Sequence, residues 1–244
     1  MQLLNSIDTK FFLGIDIETV KIAETYQSLP EEYKTAWQYK MKNEGVIPSE
    51  EELSRAWDKT AALYAEFAKV CAISVAYLDK TGNELNCKEF YSLEGNELEI
   101  LLKFANFVNK FKNHDNRFRL VAHAGKYFDY PFLKKRIVIN NMTLPIILDD
   151  AHLKPWEQMN LCTNKDIWKM GGDGPGSSLI ALCVALGLPI SKEDMIGEDV
   201  GDAYYRAEFK RIGRYCSLDS IAVINIIRKL KQESIFKFEE VKYV

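Results

Sequence analysis

The sequence has few cysteines, and they form no recognisable motif. There are five, an odd number, and no two of them stand in the C-x-x-C spacing. This argues against a disulfide framework and against a structural zinc site, since both need paired or clustered thiols. We therefore expect a reduced intracellular compartment, and assign the protein to the cytoplasm.

Long apolar runs and a strong net charge are also missing. No apolar run approaches the ~20 residues that a membrane-spanning helix needs, and residues 1–12 lack the features of a secretory signal. The net charge is −3, with 47% hydrophobic and 27% charged residues. These values are ordinary for a soluble globular protein, and they neither indicate nor exclude nucleic-acid binding. We expect no contact with a membrane.

What the sequence does contain is a succession of predicted strands and helices. The predicted strands are residues 10–16, 70–79, 84–93, 117–124 and 143–149, with a hairpin turn at 81–83. The predicted helices are residues 96–111, a helix within 126–137, 178–187, 200–213 and about 213–236. Three meandering strands followed by strands separated by helices predict an α/β fold, with a mixed five-stranded sheet flanked by helices.

An unusual segment, residues 21–69, lies between the first two predicted strands. Ser49 and Glu52 have the spacing of a helix capping box, and apolar residues recur after them near the helical period. We therefore predict a helical insertion after the first strand. No second domain boundary is evident, and we expect a single domain over residues 1–244.

The first strand carries two acids within the apolar stretch FFLGIDIETV, residues 11–20. Asp16 and Glu18 are two residues apart, so they project from the same face, near the predicted carboxyl end of the strand. Like charges about 4 Å apart repel by roughly 4 kcal/mol at an effective dielectric constant of about 20. Either one acid is protonated or a hard divalent cation lies between them, although such a pair is also common in solvated turns.

Two further stretches carry polar groups that could join this pair. Asp129 follows Phe128 at the start of a predicted helix, where an acid would also complement the helix dipole. Tyr215 and Asp219 stand four residues apart on one face of the long C-terminal helix, where they could equally form a local hydrogen bond. Taken singly, each motif has an ordinary structural interpretation.

Taken together, DIET at 16–19, FD at 128–129 and YCSLD at 215–219 resemble the DEDD class of 3′–5′ exonucleases in its tyrosine (DEDDy) subgroup. These enzymes belong to the RNase H-like (DnaQ-like) superfamily. Residues 178–205, which run towards the last motif, look like the stand-alone bacterial relatives of the family-B DNA polymerase exonuclease domain. The resemblance covers most of the chain and implies an RNase H-like fold. The insertion at 21–69 has no counterpart that we can name.

The resemblance also implies a catalytic site. Asp16 would bridge two divalent cations, Mg²⁺ or Mn²⁺, and Glu18 and Asp219 would complete the ligands of the ion on the nucleophile side. Asp129 would hold the second ion through water. Tyr215 would orient the attacking water, since a phenol with a pKa near 10 is a weak base at neutral pH.

Substrate contacts are implied at three positions. Thr19 would touch the terminal nucleotide, and Phe128 would stack on a base unless it only packs in the core. The family motif has Asn four residues before this Phe, whereas this chain has Ala124. His123 would take over part of the polar role of that Asn, or else serve the loop alone.

The predicted substrate is single-stranded nucleic acid with a free 3′ end, and we favour DNA over RNA. An exoribonuclease and a non-catalytic nucleic-acid-binding module are the alternatives. Basic clusters at 134–136 and at 210–214 could follow a phosphate backbone or form solvated helix faces. No protein partner is predicted from the sequence.

Overall fold

A mixed six-stranded sheet forms the centre of the protein, in a computed structural model that describes residues 4, 6–42, 48–154, 156–172, 174–190 and 195–244. The strands are β1 (Phe12–Lys21), β2 (Ala68–Leu78), β3 (Leu85–Phe90), β4 (Arg119–Ala122), β5 (Leu161–Cys162) and β6 (Lys242–Tyr243). Their order across the sheet is β5-β4-β1-β2-β3-β6. With helices on both sides, this is consistent with the expected RNase H-like fold.

The first three strands form the predicted antiparallel meander. β1 pairs with β2 and β2 with β3, while β4 runs parallel to β1 and β5 parallel to β4. The turn between β2 and β3 is closed by the N–H of Asp79, which donates to the carbonyl of Glu84 at 2.9 Å. Gly82 has φ +79° in this turn, a conformation that glycine adopts without steric cost. The hairpin predicted at 81–83 is therefore confirmed.

The predicted fifth strand, residues 143–149, is wrong. Ile146–Leu148 forms a 3₁₀ helix that begins after Pro145, whose ring fixes its φ at −64° and leaves it without an N–H to donate. The actual β5 and β6 have two residues each, too few for a period-2 pattern to be recognised. The sheet therefore has six strands among the described residues, instead of the predicted five.

Seven α-helices surround the sheet in the described part of the chain. They are α1 (Glu31–Lys42), α2 (Glu50–Thr60), α3 (Glu97–His114), α4 (Asp129–Ile139), α5 (Leu179–Leu186), α6 (Val200–Tyr205) and α7 (Phe209–Leu230). The predicted helix at 200–213 is interrupted after Tyr205, and α7 begins earlier and ends sooner than predicted. Among the described residues, no helix combines the length and the apolar character needed to span a membrane.

Helix α7 lies directly against β1. A Cβ atom on Gly14 would come within 2.7 Å of the carbonyl oxygen of Ser220, so glycine permits this close approach. The other face of β1 contributes Leu13, Ile15 and Ile17 to a core shared with α3 and α4. The sequence of β1 therefore reflects burial on both faces, and its polar side chains lie where α7 begins.

The insertion between β1 and β2 has an apolar core of its own. The rings of Trp37 and Trp57 pack edge to face at 5.2 Å, and both side chains are fully buried. The indole N–H of Trp57 donates to the carbonyl of Ala23, which ties α2 to the segment after β1. The predicted capping box of Ser49 and Glu52 begins α2. The predicted helical character of this segment is thus confirmed.

A buried ion pair joins the insertion to α3 and α4. The guanidinium of Arg136 donates to both carboxylate oxygens of Glu97, at 2.8 and 2.6 Å. It also donates to the carbonyl of Ala65, and the N–H of Val70 donates to Glu97. Since every charge is satisfied, the pair tolerates burial and fixes the end of the insertion against the two helices.

Candidate active site

The acid pair lies within β1, and the predicted position at the end of the strand is wrong. β1 continues to Lys21, whereas its parallel neighbour β4 ends at Ala122, one residue after the pairing of Gly14 with Val121. Beyond this point, β1 has lost its neighbour on the β4 side. The main chain that carries Asp16 and Glu18 is therefore open on that side to side chains from elsewhere.

The side chain of Asp129 lies on this open side of β1. Its carboxylate accepts a hydrogen bond from the main-chain N–H of Ile17, the residue between the two acids. Asp129 is the first residue of α4 and only 3% exposed. The end of β4 and the start of α4 thus bring a third carboxylate to β1.

On its other side, β1 carries a pairing irregularity next to the acids. Glu18 pairs with Ala72 of β2 but Thr19 pairs with Val70, so Cys71 is an extra residue on β2. Such bulges increase the local twist and redirect side chains, and they are common near active sites.

α7 supplies the fourth acid and the tyrosine. Tyr215 and Asp219 are 6% and 9% exposed, and they lie one helical turn apart. The thiol of Cys216, between them, donates to the main-chain oxygen of Asp16 at 3.3 Å. This contact places the first turns of α7 against the centre of β1.

The charges of the four carboxylates act on one another, although of these acids only Asp16 and Glu18 belong to a described group whose ligand atoms lie within 4.8 Å of one another. Burial raises the pKa of Asp16 well above its usual value of 3.8. The negative charges of Glu18, Asp219 and Asp129, in that order, raise it further. The pKa of Asp129 is also raised, mainly by burial, to about 7. Burial and mutual repulsion thus both disfavour the charged forms of these acids.

One oxygen of this cluster has no partner. Oδ2 of Asp16 is buried and accepts no hydrogen bond from any described residue. A buried carboxylate oxygen without a donor is costly, and a cation is the simplest group that would compensate it. Hard divalent cations prefer such oxygen ligands, so the donor set fits Mg²⁺ or Mn²⁺.

Cys216 is a neighbour of the site that the sequence did not single out. Its sulfur and one carboxylate oxygen each from Asp16 and Glu18 lie within 4.8 Å of one another. Burial raises the pKa of the thiol, and the S–H group faces main-chain oxygen, so it is a poor ligand for a hard cation. Only its position beside Tyr215 could have drawn attention to it.

Tyr215 is kept in its neutral form. Burial raises the pKa of its phenol, and the charges of Glu18, Asp219 and Asp16 raise it further. A neutral phenol can both donate and accept a hydrogen bond. It can therefore orient a water molecule at the acid cluster but cannot act as a strong base there.

Thr19 and Phe128 have structural partners of their own. The Thr19 hydroxyl donates to the carbonyl of Ala62 at 2.8 Å, which attaches the insertion beside the acid pair. The half-buried ring of Phe128 lies 5.3 Å from that of Phe132 and packs on the main core. Both side chains thus make contacts within the fold, and their predicted substrate contacts stay predictions.

His123 and Ala124 shape the turn that leads to Asp129. The two ring nitrogens of His123 contact the hydroxyl of Thr163 at 2.9 Å and the carbonyl of Ser177 at 2.8 Å. Burial lowers the pKa of this imidazole, so it is neutral and donates from Nε2 to the carbonyl. Ala124 has φ +61°, the left-handed region that asparagine tolerates better than alanine. His123 therefore supports the loop, and its predicted substrate role stays a prediction.

The two basic clusters differ in their surroundings. In the first, Lys134 pairs with Asp150, Lys135 with Glu66 and Arg136 with Glu97. The second cluster, residues 210–214, lies at the start of α7 beside Tyr215. Only the second cluster adjoins the site.

The chain has no significant match among curated proteins. A sequence model of one family matches residues 61–227, more than half of the chain. That range includes Asp129, Tyr215 and Asp219, whereas Asp16 and Glu18 precede it. The family is described as a predicted 3′–5′ exonuclease related to the exonuclease domain of PolB, and this chain belongs to it.

Proposed function

We propose that the protein is a metal-dependent 3′–5′ exonuclease that hydrolyses phosphodiester bonds at the 3′ end of single-stranded nucleic acid, preferentially DNA. The family supports the reaction class. The observation that carries the proposal is the Oδ2 atom of Asp16, which is buried without a donor while the charges of three further acids act on the same carboxylate. Such an arrangement is stable only with protons or cations, and a pair of divalent cations is one way in which enzymes catalyse phosphodiester hydrolysis.

Asp16, Glu18, Asp129 and Asp219 would hold two divalent cations, Mg²⁺ or Mn²⁺. When bound, these ions would stabilise the charge that develops on the phosphate oxygens during hydrolysis and make water more acidic. Four carboxylates offset the charge of two dications, so the chain's own acids would no longer repel the substrate. This explains how a protein of net charge −3 could accept a polyanion.

Tyr215 would act through its hydroxyl. Because burial and the acids keep the phenol protonated, it would hold the attacking water by a hydrogen bond and not remove its proton. Its position one turn before Asp219 on a rigid helix would fix the direction of that bond. We assign it as a positioning residue.

The experiment that tests the proposal compares the wild type with Asp16→Asn on DNA and RNA oligomers of one sequence. Each oligomer carries a label at its 5′ end and has a free or a blocked 3′ end. We expect stepwise shortening from free 3′ ends that requires Mg²⁺ or Mn²⁺ and is lost in Asp16→Asn. Glu239→Gln, which removes an exposed acid outside the site, is the matched control and should retain activity.

The alternatives give different results in the same experiment. Faster shortening of RNA than of DNA would identify an exoribonuclease with the same catalytic residues. A wild type that binds oligomers but shows no metal-stimulated shortening would identify a binding module and refute the proposed activity.

A further inference from the structure

A concave surface adjoins the acid cluster at Tyr215. It is a cavity of about 570 Å³ between the start of α7 and the segment after β3. Its apolar lining comes from Leu93, Met195, Ala207 and Leu218. Tyr215 contributes to the wall, so one side chain borders both the carboxylates and this cavity.

Cations dominate the polar lining of this cavity. Among the described residues that line the cavity, Lys210, Arg211 and Arg214 are accompanied by one acid, Glu208, which pairs with Arg211 at 2.7 Å. Lys210 is exposed, and no ion pair is found for it within the described ranges. Arg214 is half exposed, its guanidinium lies 3.9 Å from the carboxylate of Glu89, and it stacks 3.8 Å from the ring centre of Tyr243. The described lining of the cavity thus contains three cations and one acid, and it lies next to the acid cluster.

An apolar wall with cations beside it suits one kind of ligand in this protein. A nucleobase is flat and stacks on apolar and aromatic side chains, while its phosphate is attracted by Lys and Arg. A polynucleotide whose scissile phosphate lies at the acid cluster has nucleotides on both sides of that phosphate. Because Tyr215 borders both surfaces, the strand would pass from one to the other without a gap.

We propose that this cavity binds one nucleotide unit of the substrate strand, with its base against Leu93 and Met195 and its phosphate at Lys210 and Arg214. The inference rests on the proposed function and adds a binding subsite to it. It also distinguishes the two basic clusters: every cation at 134–136 pairs with an acid, whereas Lys210 has no ion pair among the described residues.

The test measures binding, so it does not depend on turnover. In an Asp16→Asn background, the affinity for a fluorescent single-stranded DNA oligomer is measured by anisotropy at several salt concentrations. Removing one phosphate contact from a single strand makes the slope of log K against log salt less steep by about 0.7. We expect this change, with a several-fold loss of affinity, for Lys210→Gln. Lys135→Gln, which removes a cation paired with Glu66, is the matched control and should change neither value.

A second measurement addresses the base. An abasic nucleotide is placed in turn at each of the positions nearest the 3′ end. We expect the affinity to fall most when the abasic nucleotide stands at one particular position. In Leu93→Asp, an abasic nucleotide at that position should lower the affinity no more than at the others. Leu93 is 77% exposed, so this substitution should not affect folding.

Equal effects of Lys210→Gln and Lys135→Gln, or an abasic profile that Leu93→Asp leaves unchanged, would overturn the subsite. Failure of the proposed function has a different signature, namely a wild type without metal-stimulated shortening of any oligomer. The two failures can therefore be told apart.

Discussion

The hydroxyl of Thr19 donates a hydrogen bond of 2.8 Å to the main-chain carbonyl of Ala62. Thr19 directly follows the acid pair, and Ala62 lies in the 3₁₀ turn after α2. Lys21 and Asp58 form an ion pair of 2.7 Å nearby, so β1 is joined to the end of the insertion at two points. The insertion is therefore attached at the border of the acid cluster.

Thr19→Val should loosen this attachment. Valine keeps the shape of threonine but leaves the carbonyl of Ala62 without its donor, at a cost of about 1 kcal/mol. We expect a lower free energy of unfolding in urea and faster hydrogen exchange in residues 61–67. Thr19→Ser retains a hydroxyl and should recover most of both values. Equal hydrogen-exchange rates of residues 61–67 in Thr19→Val and Thr19→Ser would show that the hydrogen bond from Thr19 to Ala62 does not hold the insertion in place.

Divalent cations should stabilise the folded protein. A ligand that binds only the native state at a hundredfold excess over its Kd adds about 2.7 kcal/mol. Asp16→Asn should raise the Tm in the presence of a chelator, because it removes a buried charge, and should abolish most of the increase caused by Mn²⁺. Differential scanning calorimetry measures both effects. A Mn²⁺ shift of the same size in Asp16→Asn as in Glu239→Gln would contradict the assigned site.

The metal-free protein should become less stable as the pH rises from about 4 to 7. Burial raises the pKa of Asp129 to about 7, against 3.8 for an ordinary Asp. Between these values the folded state binds more protons than the unfolded state, so stability falls with increasing pH. Urea unfolding across this range, with chelator, should show a decline that is smaller in Asp129→Asn. Saturating Mg²⁺ should flatten the curve of the wild type, since it favours the ionised form.

Tyr215→Phe should slow hydrolysis without preventing metal binding. The substitution removes only the hydroxyl, and loss of a group that orients a nucleophile costs on the order of 100-fold in rate. We expect kcat to fall while the Kd for Mn²⁺, measured by calorimetry, stays within about twofold. Tyr39→Phe removes an exposed hydroxyl on α1 and should leave kcat unchanged. Near-normal rates in Tyr215→Phe would remove the positioning role.

The sequence could predict what depends on neighbouring residues. The spacing of Asp16 and Glu18 places both on one face of a strand, and the spacing of Tyr215 and Asp219 places both on one face of a helix. Local spacing could not show that β1 passes beyond the end of β4, because that depends on where another strand stops. That difference opens the side of β1 which Asp129 occupies.

The two basic clusters show the same limit. Lys134, Lys135 and Arg136 have the composition of a phosphate-binding stretch, yet acids distant in the chain neutralise them. At residues 210–214, Arg211 and Arg214 also pair with acids, but Lys210 lies exposed beside a cavity. Only the arrangement of distant segments distinguishes a structural cation from one available to a ligand.

Ala124 offers a last test, since it occupies a strained position in the turn before Asp129. Its φ is +61°, and its carbonyl accepts hydrogen bonds from the N–H groups of Tyr127 and Phe128. The left-handed conformation of an alanine costs roughly 1–2 kcal/mol of folding free energy, and glycine avoids this cost. Glycine is also more flexible in the unfolded chain, which offsets part of the gain. Ala124→Gly should therefore raise the free energy of unfolding by about 0.5–1 kcal/mol. Gln232→Gly changes another left-handed residue, after α7, and is the control for relief of strain alone.

Ala124→Asn should stabilise the turn as well, because asparagine tolerates the same conformation. It also adds an amide where the family motif has asparagine. We therefore expect this variant alone to lower the KM for an oligomer, while Ala124→Gly and Gln232→Gly change only the unfolding midpoint in urea. If Ala124→Gly lowered the KM equally, strain in the turn rather than the missing amide would be limiting substrate binding.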